Sequence, residues 1–372
     1  MFKSPSHHHA DPGEPACTHI RGVRVSVKVL SLWCRTPLYT AKYSGDLMKI
    51  TILDDYLDSI RHLPCFAKLA GFDVSILTEK YDDPAKLSLA IGDSDALALF
   101  RERTKITDEL LAGLPKLKLI SQRSVFPHID VDACTKRGVL LCSKQGAGKK
   151  PSYAAAEMTW ALIMASARQI VEQNASLRAG KWQMGIGKTL RGRTLGILGY
   201  GKVSRVVAGY AKAFGMNVVI WASEASRKAA SEDGWDVAPS RAAFFAKPDI
   251  ITVHMRLTPE TSGVISGDDL AQMRPDSLFV NTSRAGLVVP GALLAALDAG
   301  RPGKAAVDVL DVEPLTDFND RFANHPNVLA TPHVGFVTED ELDMQFGDIF
   351  DQIIGYANGD PINMINPDVW KA

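Results

Sequence analysis

Residues 194–201 read Thr194-Leu195-Gly196-Ile197-Leu198-Gly199-Tyr200-Gly201, and the stretch from Lys202 to Ala213 that follows has a helical pattern. A short apolar strand, a glycine turn and a helix in direct succession form a cradle for a dinucleotide pyrophosphate. Gly199 permits the tight turn, and Gly201 lets the backbone approach the phosphates at a helix N-terminus, with Lys202 and Val203 opening that helix. The third position of the glycine pattern is Ser204, which loosens helix–strand packing but leaves the turn intact. A second strand, Asn217 to Trp221, completes the unit. An acid at its end would hold the ribose hydroxyls, but Ala222 stands there, followed by Ser223, Glu224, Arg227 and Lys228. Ser223 offers a ribose hydrogen bond and Glu224 disfavours a 2′-phosphate unless it points away. NAD is therefore the expected cofactor, with NADP left open.

Working outward, further strands are expected at 250–253, 278–281, 305–309 and 328–330, and before the turn at 49–53, 73–77, 96–99, 117–121 and 139–142. Helices fill the gaps: 107–112, 131–137, one long helix from Ser152 to Leu177, and another from Glu339 to Asn358. Apolar strands alternating with amphipathic helices predict parallel sheets covered on both faces. The fold class is α/β, with two Rossmann-like doubly wound parallel-sheet domains and the active site in the interdomain cleft. The expected substrate domain is 48–150 plus 335–372, and the dinucleotide-binding domain is 151–334. The 372 residues exceed what one core usually supports.

Residues 1–47 differ from the rest. Pro, Gly and His dominate their opening, His7 to His9 read as a silent tail, and Val23, Val25, Val27 and Val29 alternate with polar residues as one edge strand would. Because Met48 immediately precedes the first Rossmann-like strand, this segment reads as a dispensable, disordered N-terminal extension. Lys plus Arg and Asp plus Glu both number 42, so nothing in the overall charge calls for a nucleic acid or an anionic membrane as partner. The five cysteines form no CxxC pair, which favours reduced thiols, a cytoplasmic location and no metal site. No apolar run reaches the ~18 residues that a membrane span needs.

Three polar side chains stand just beyond strands of the second half: Arg284 in Asn281-Thr282-Ser283-Arg284, Glu313 in Asp308-Val309-Leu310-Asp311-Val312-Glu313-Pro314, and His333 in Thr331-Pro332-His333-Val334-Gly335. Taken singly, these read as a surface cation, an element end and a turn histidine. Ligands of open α/β sheets bind beyond the carboxyl ends of the strands, so together the three can face one crevice. An arginine grips a carboxylate with two parallel bonds. An imidazole donates and accepts protons near neutrality, and a carboxylate beside it fixes its orientation.

The glycine turn, NTSR, DVLDVEP and TPHVGF, in this order and spacing, resemble the D-isomer-specific 2-hydroxyacid dehydrogenases over residues 48–368, most strongly from 194 to 337. The resemblance implies hydride transfer between a nicotinamide and a small 2-hydroxy or 2-keto acid, with D stereochemistry. It also implies a homodimer to which the helix beginning near Ser152 contributes. It makes Arg284, Glu313 and His333 catalytic and brings Thr282, His254 and Asp308 near the cofactor. For Asp308, local capping is an equally good reading.

The sequence also departs from that family. The substrate-carboxylate loop aligns with Gln122-Arg123-Ser124-Val125-Phe126, where Arg123 and Val125 replace expected glycines. Arg123, Ser124 and Val125 are nonetheless the expected substrate contacts, with Arg123 either a second cation for a more anionic substrate or a solvent-facing loop residue. Ala285 and Val289 also depart from the usual glycine and acid. A second functional class, a nicotinamide-sensing corepressor-like binding protein on the same fold, shares the Arg/Glu/His set.

Overall fold

The computed structural model describes residues 47–145 and 153–370. The extension, its edge strand at 23–29 and the start of the long helix at Ser152 lie outside the described residues. Five strands form the first sheet: β1 (Lys49–Ile52), β2 (Asp73–Ile76), β3 (Ala96–Ala98), β4 (Leu119–Arg123) and β5 (Leu140–Lys144). All are parallel, in the order β2-β1-β3-β4-β5, with Ile50 paired to both Val74 and Ala96. Alternate side chains divide between two cores. Ile50, Ile52, Ala96, Ala98 and Leu119 pack with one face's layer, whereas Leu97, Leu99, Ile120 and Leu141 pack with the other.

Helices α1 (Pro84–Ile91), α2 (Asp108–Ala112) and α3 (Val131–Lys136) cover the second of these faces. Their caps come from the sequence: Asp83, Thr107 and Asp130 each accept a first-turn backbone N–H. The chain then runs through α4 (Tyr153–Arg168) and α5 (Ile170–Arg178) into a second sheet. Its strands are β6 (Thr194–Leu198), β7 (Asn217–Trp221), β8 (Asp236–Val237), β9 (Ile250–Val253), β10 (Leu278–Asn281), β11 (Lys304–Val307) and β12 (Val328–Ala330). The order is β12-β11-β10-β9-β6-β7-β8, again wholly parallel. Between these strands run α6 (Lys202–Ala213), α7 (Glu224–Glu232), α8 (Arg241–Ala246), α9 (Gly267–Ala271) and α10 (Ala292–Asp298).

The last helix, α11 (Glu339–Ala357), returns to the first sheet, where Leu342, Phe346, Ile349, Phe350 and Ile353 join Ile50, Ala98 and Leu119 in one core. Each such side chain is worth roughly 1.5–3 kcal/mol when fully buried. The C-terminal segment is therefore integral to that sheet.

The single helix expected from Ser152 to Leu177 is two. Gln169 sits in the left-handed region at φ 54° and separates α4 from α5. The cause lies farther along the chain. Gly187 packs flat on the end of α4, where a Cβ would lie 3.0 Å from the Ala167 carbonyl oxygen, and Lys188 N–H donates to that carbonyl at 2.7 Å. The helix end is thus capped by the backbone of Gly187 and Lys188.

His128 has both ring nitrogens buried without a partner, and burial lowers its pKa to about 4. Between pH 6.5 and 4 the unfolded chain binds a proton that the folded chain refuses, so stability is full above 6.5 and falls as pH drops through this window. A His128→Phe chain is expected to show a shallower fall of the thermal midpoint from pH 7 to 4. Identical slopes would rule out this role for His128.

Candidate active site

Both sheets have a topological switch point, where neighbouring strands leave in opposite directions and a crevice opens at their carboxyl ends. In the second sheet it lies between β6 and β9. Gly199 has φ 93°, and a Cβ there would lie 2.4 Å from the His254 carbonyl oxygen, so the turn accepts no side chain. A Cβ on Gly201 would meet nothing within 4 Å, which leaves open space over the N-terminus of α6. Ser204, fully buried, accepts the Gly201 N–H at 3.2 Å. The departure from the third glycine therefore adds a bond that braces the turn.

A cleft of about 530 Å³ opens here, lined by Gly199, Gly201, Ser223 and His254 among others. Its size and its glycine floor fit a dinucleotide. Lys202 and Val203 follow at the start of α6 and do not line the cleft, nor do Thr282 and Asp308. Thr282 instead hydrogen-bonds Thr159 of α4 at 2.7 Å. Burial pushes His254 down to a pKa of about 4, which keeps it neutral, and its Nε2 lies 3.1 Å from the Thr252 hydroxyl.

The second half's polar trio is held by backbone-directed bonds. Asn281 accepts Ser283 N–H at 3.0 Å and donates to the Arg284 carbonyl at 2.9 Å, while Ser283 donates to Val253 of β9 at 2.7 Å. Glu313 takes the Leu310 N–H on one oxygen and meets His333 Nδ1 at 2.6 Å with the other. Burial would raise the Glu313 pKa, but the His333 bond, the Leu310 N–H and the charges of His333 and Arg284 outweigh it and lower the value. An ionised carboxylate only accepts, so Nδ1 carries the proton in this pair and Nε2 is left for a substrate.

Asp308 is 1 % exposed, and both its oxygens are engaged: Thr331 hydroxyl at 2.6 Å, Val334 N–H at 2.9 Å and Gly335 N–H at 2.7 Å. It encircles the loop that carries His333, itself at φ 55°. Both oxygens of the Asp308 carboxylate are thus tied to this loop.

The first sheet brings in a residue that sequence reasoning missed. Its switch point lies between β1 and β3, and Arg101 follows β3 there with φ 64°. The Arg101 guanidinium lies 4.1 Å from the centre of the Phe336 ring, which also meets the His333 ring edge-on at 5.5 Å. Its Nε is buried without a partner, and no carboxylate pairs with it among the described residues. Burial, reinforced by the charge of Arg284 and opposed by Glu341, lowers its pKa to about 10. It remains a cation near neutrality.

Arg123 corrects the expectation placed on it. It is neither a solvent-facing residue nor a free cation, because its Nε pairs with Asp348 of α11 at 2.8 Å and its side chain is only 12 % exposed. Lys144 shares the same carboxylate at 2.7 Å. Ser124 takes φ 80°, the conformation a glycine would have supplied. Three donors converge on its carbonyl to hold it there: Gln122 Nε2 at 2.9 Å, Ser143 Oγ at 2.7 Å and Gln145 Nε2 at 2.7 Å. Val125 beside it is exposed. Arg101, Ser124 and His333 all pair a positive φ with a place just beyond a strand's carboxyl end, the kind of local strain that collects at functional sites.

A family profile described as "D-isomer specific 2-hydroxyacid dehydrogenase, NAD binding domain" matches residues 160–335. A glyoxylate reductase from Thermococcus litoralis is 33% identical over 276 residues, which cover 71% of this chain and 82% of that protein. A D-3-phosphoglycerate dehydrogenase from Mycobacterium leprae is 36% identical over 77% of this chain and 55% of its own length. Among solved structures, a phosphoglycerate oxidoreductase from Vibrio cholerae is 43% identical with a TM-score of 0.79, covering 84% of this chain and 99% of that one. These likenesses support an oxidoreductase acting on a CH–OH group with NAD as cofactor over a corepressor-like binding protein. With both switch-point crevices and the glycine turn in place, the chain belongs to the D-isomer-specific 2-hydroxyacid dehydrogenase family.

Proposed function

We propose that the chain reduces a short 2-keto acid carrying a second anionic group, with 3-phosphohydroxypyruvate as the type of substrate, and forms the D-hydroxy acid. The observation that carries this is the pair of arginines at the crevice: Arg284 is exposed, Arg101 has an orphaned Nε, and the charge of Arg284 reaches Arg101. One carboxylate neutralises one cation. Two guanidiniums that share one crevice and pair with no carboxylate among the described residues favour a ligand with more negative charge than glyoxylate has. The Mycobacterium leprae relative's name, a phosphoglycerate dehydrogenase, agrees with a phosphorylated substrate.

In this reading Arg284 clamps the 2-carboxylate, assisted by the backbone N–H of Val125, since the Ser124 N–H is held by the Lys144 carbonyl at 3.0 Å, while Arg101 meets the distal anion. His333 Nε2 gives its proton to the carbonyl oxygen, and Glu313 holds the ring and stabilises its charged form. The nicotinamide cofactor, seated along the β6 turn by Gly199, Gly201 and Ser223, supplies the hydride when bound. Neutral His254, Lys202, Val203 and Thr282 shape its surroundings, while Asp308 acts on it through the loop it holds. The substrate domain takes 48–150 plus 335–372 and the dinucleotide domain 151–334, so closure across the two connections excludes water from the crevice.

The assembly we propose is a cytoplasmic homodimer. Ile170, Val171, Leu177, Trp182 and Ile186 on and after α5 are all more than half exposed or close to it, an apolar strip that a second copy would cover. Cys65, Cys134 and Cys142 are unpaired, as a reducing compartment keeps thiols. Among the described residues no helix is long and apolar enough to cross a membrane. No nucleic-acid partner is invoked.

The deciding experiment follows reduced-nicotinamide absorbance with 3-phosphohydroxypyruvate, hydroxypyruvate, glyoxylate and pyruvate. A kcat/KM at least about tenfold higher for the phosphorylated acid is expected from one charge pair. Equal values for all four would remove Arg101 from substrate selection while leaving the dehydrogenase in place.

A further inference from the structure

We infer that the ribose end of the cleft accepts a 2′-phosphate, so that the chain binds NADP(H) at least as tightly as NAD(H); the inference rests on the dehydrogenase reading above. A site that selects NAD usually places a carboxylate at the end of the second strand, about 20 residues beyond the glycine turn, where it takes the ribose hydroxyls and repels phosphate. Here β7 ends at Trp221 and Ala222 follows. Among the described residues no aspartate or glutamate lines the cleft. Glu224, the nearest acid in sequence, is exposed in the first turn of α7 and forms none of the wall.

The groups that do surround this end are hydroxyls and cations. Ser223 and Ser226 line it, with Ser226 N–H donating to Ser223 Oγ at 3.4 Å. Arg241 lines it too, but Asp269 takes its Nε and Nη2, each at 2.7 Å, and thereby neutralises it. Arg256 is different: it lines the cleft, is exposed, and pairs with no carboxylate among the described residues. Arg227 adds a second positive charge, its guanidinium 4.4 Å from the centre of the Trp221 ring at the strand's end. His254 is neutral near pH 7 and contributes no charge. A dianionic phosphate placed there gains charge-assisted bonds and meets no repulsion from the wall, whereas two ribose hydroxyls would find no carboxylate to bind.

The test separates the phosphate from the rest of the cofactor. Binding of 5′-AMP and 2′,5′-ADP to the full chain is measured by isothermal titration, alongside NADH and NADPH, for the native protein, Arg256→Ala and Ala222→Asp. The native protein is expected to bind 2′,5′-ADP about tenfold or more tighter than 5′-AMP, with a steeper loss on adding salt. Arg256→Ala should remove most of that margin and leave 5′-AMP within about twofold. Ala222→Asp should reverse the preference, because the new carboxylate repels the phosphate and accepts from the ribose. Weaker binding of 2′,5′-ADP than of 5′-AMP in the native protein, with NADH bound normally, overturns the inference and spares the dehydrogenase. Failure of both nucleotides and of NADH to bind overturns the dehydrogenase reading, and the inference with it.

Discussion

His333→Ala is expected to lower kcat by about 10²- to 10⁴-fold, the usual worth of a positioned proton donor, with the cofactor still binding. His333 rather than another histidine is singled out by its surroundings. His254 is neutralised by burial and His128 has both nitrogens sealed off, whereas His333 is half-exposed at the crevice with a carboxylate on Nδ1. The loop around it hangs from Asp308 by three hydrogen bonds that alanine does not disturb, so the fold should persist. Glu313 supplies the pH test. Its pKa is lowered below the ordinary 4.5, so the Glu313–His333 attraction is fully present above that value and is lost as pH falls through the lower folded one. Glu313→Gln removes the anion that stabilises an imidazolium, and the alkaline limb of the reduction rate should move to lower pH. Steady-state profiles from pH 5 to 9 check both statements. An unchanged limb in Glu313→Gln would mean that Glu313 only holds the ring in place.

Where the sequence was legible, the reason is physical. Strands β6, β7, β9, β10 and β12 have the expected bounds because they are apolar runs that end where the next turn or polar residue begins. The trio after β10 and β11 and before α11 was legible because strand ends in parallel sheets point ligands one way. The break at Gln169 was not, since it is made by Gly187 and Lys188, which reach α4 only once the chain has turned back. No local pattern reports that.

Arg101 was hidden for a different reason. Phe100-Arg101-Glu102-Arg103-Thr104-Lys105 reads as a solvated charge run, yet the structure sorts those charges. Arg103 stacks on Tyr56 and Phe100 and donates to the Asp54 carbonyl at 2.6 Å, whereas Arg101 pairs with no carboxylate among the described residues. The available signal was its position directly past β3, the same rule that located Arg284. Arg123 misled in the opposite direction. Its partner, Asp348, lies 225 residues away on α11, and a charge pair at that separation leaves no trace in local sequence.

Replacing Arg284 by alanine should lower kcat/KM by about 10²- to 10³-fold for every 2-keto acid, because a carboxylate clamp lost from a partly desolvated site costs roughly 2–5 kcal/mol. Arg284→Lys should recover only part of this, since an ammonium matches the charge but not the two parallel bonds. Arg101→Met should behave differently. Its loss is expected to fall about 10²-fold on a phosphorylated keto acid and less than about fivefold on glyoxylate, because only the distal anion is unpaired. Methionine keeps the contact with Phe336 and removes a buried Nε that lacks a partner, so the thermal midpoint should hold or rise. The two substitutions therefore divide one crevice into two jobs, one common to all substrates and one that chooses among them. Equal losses on both substrates in Arg101→Met would assign Arg101 to the common carboxylate instead. The two cations would then act as a single clamp on one anion, and the preference for a second negative charge would have to come from elsewhere in the crevice.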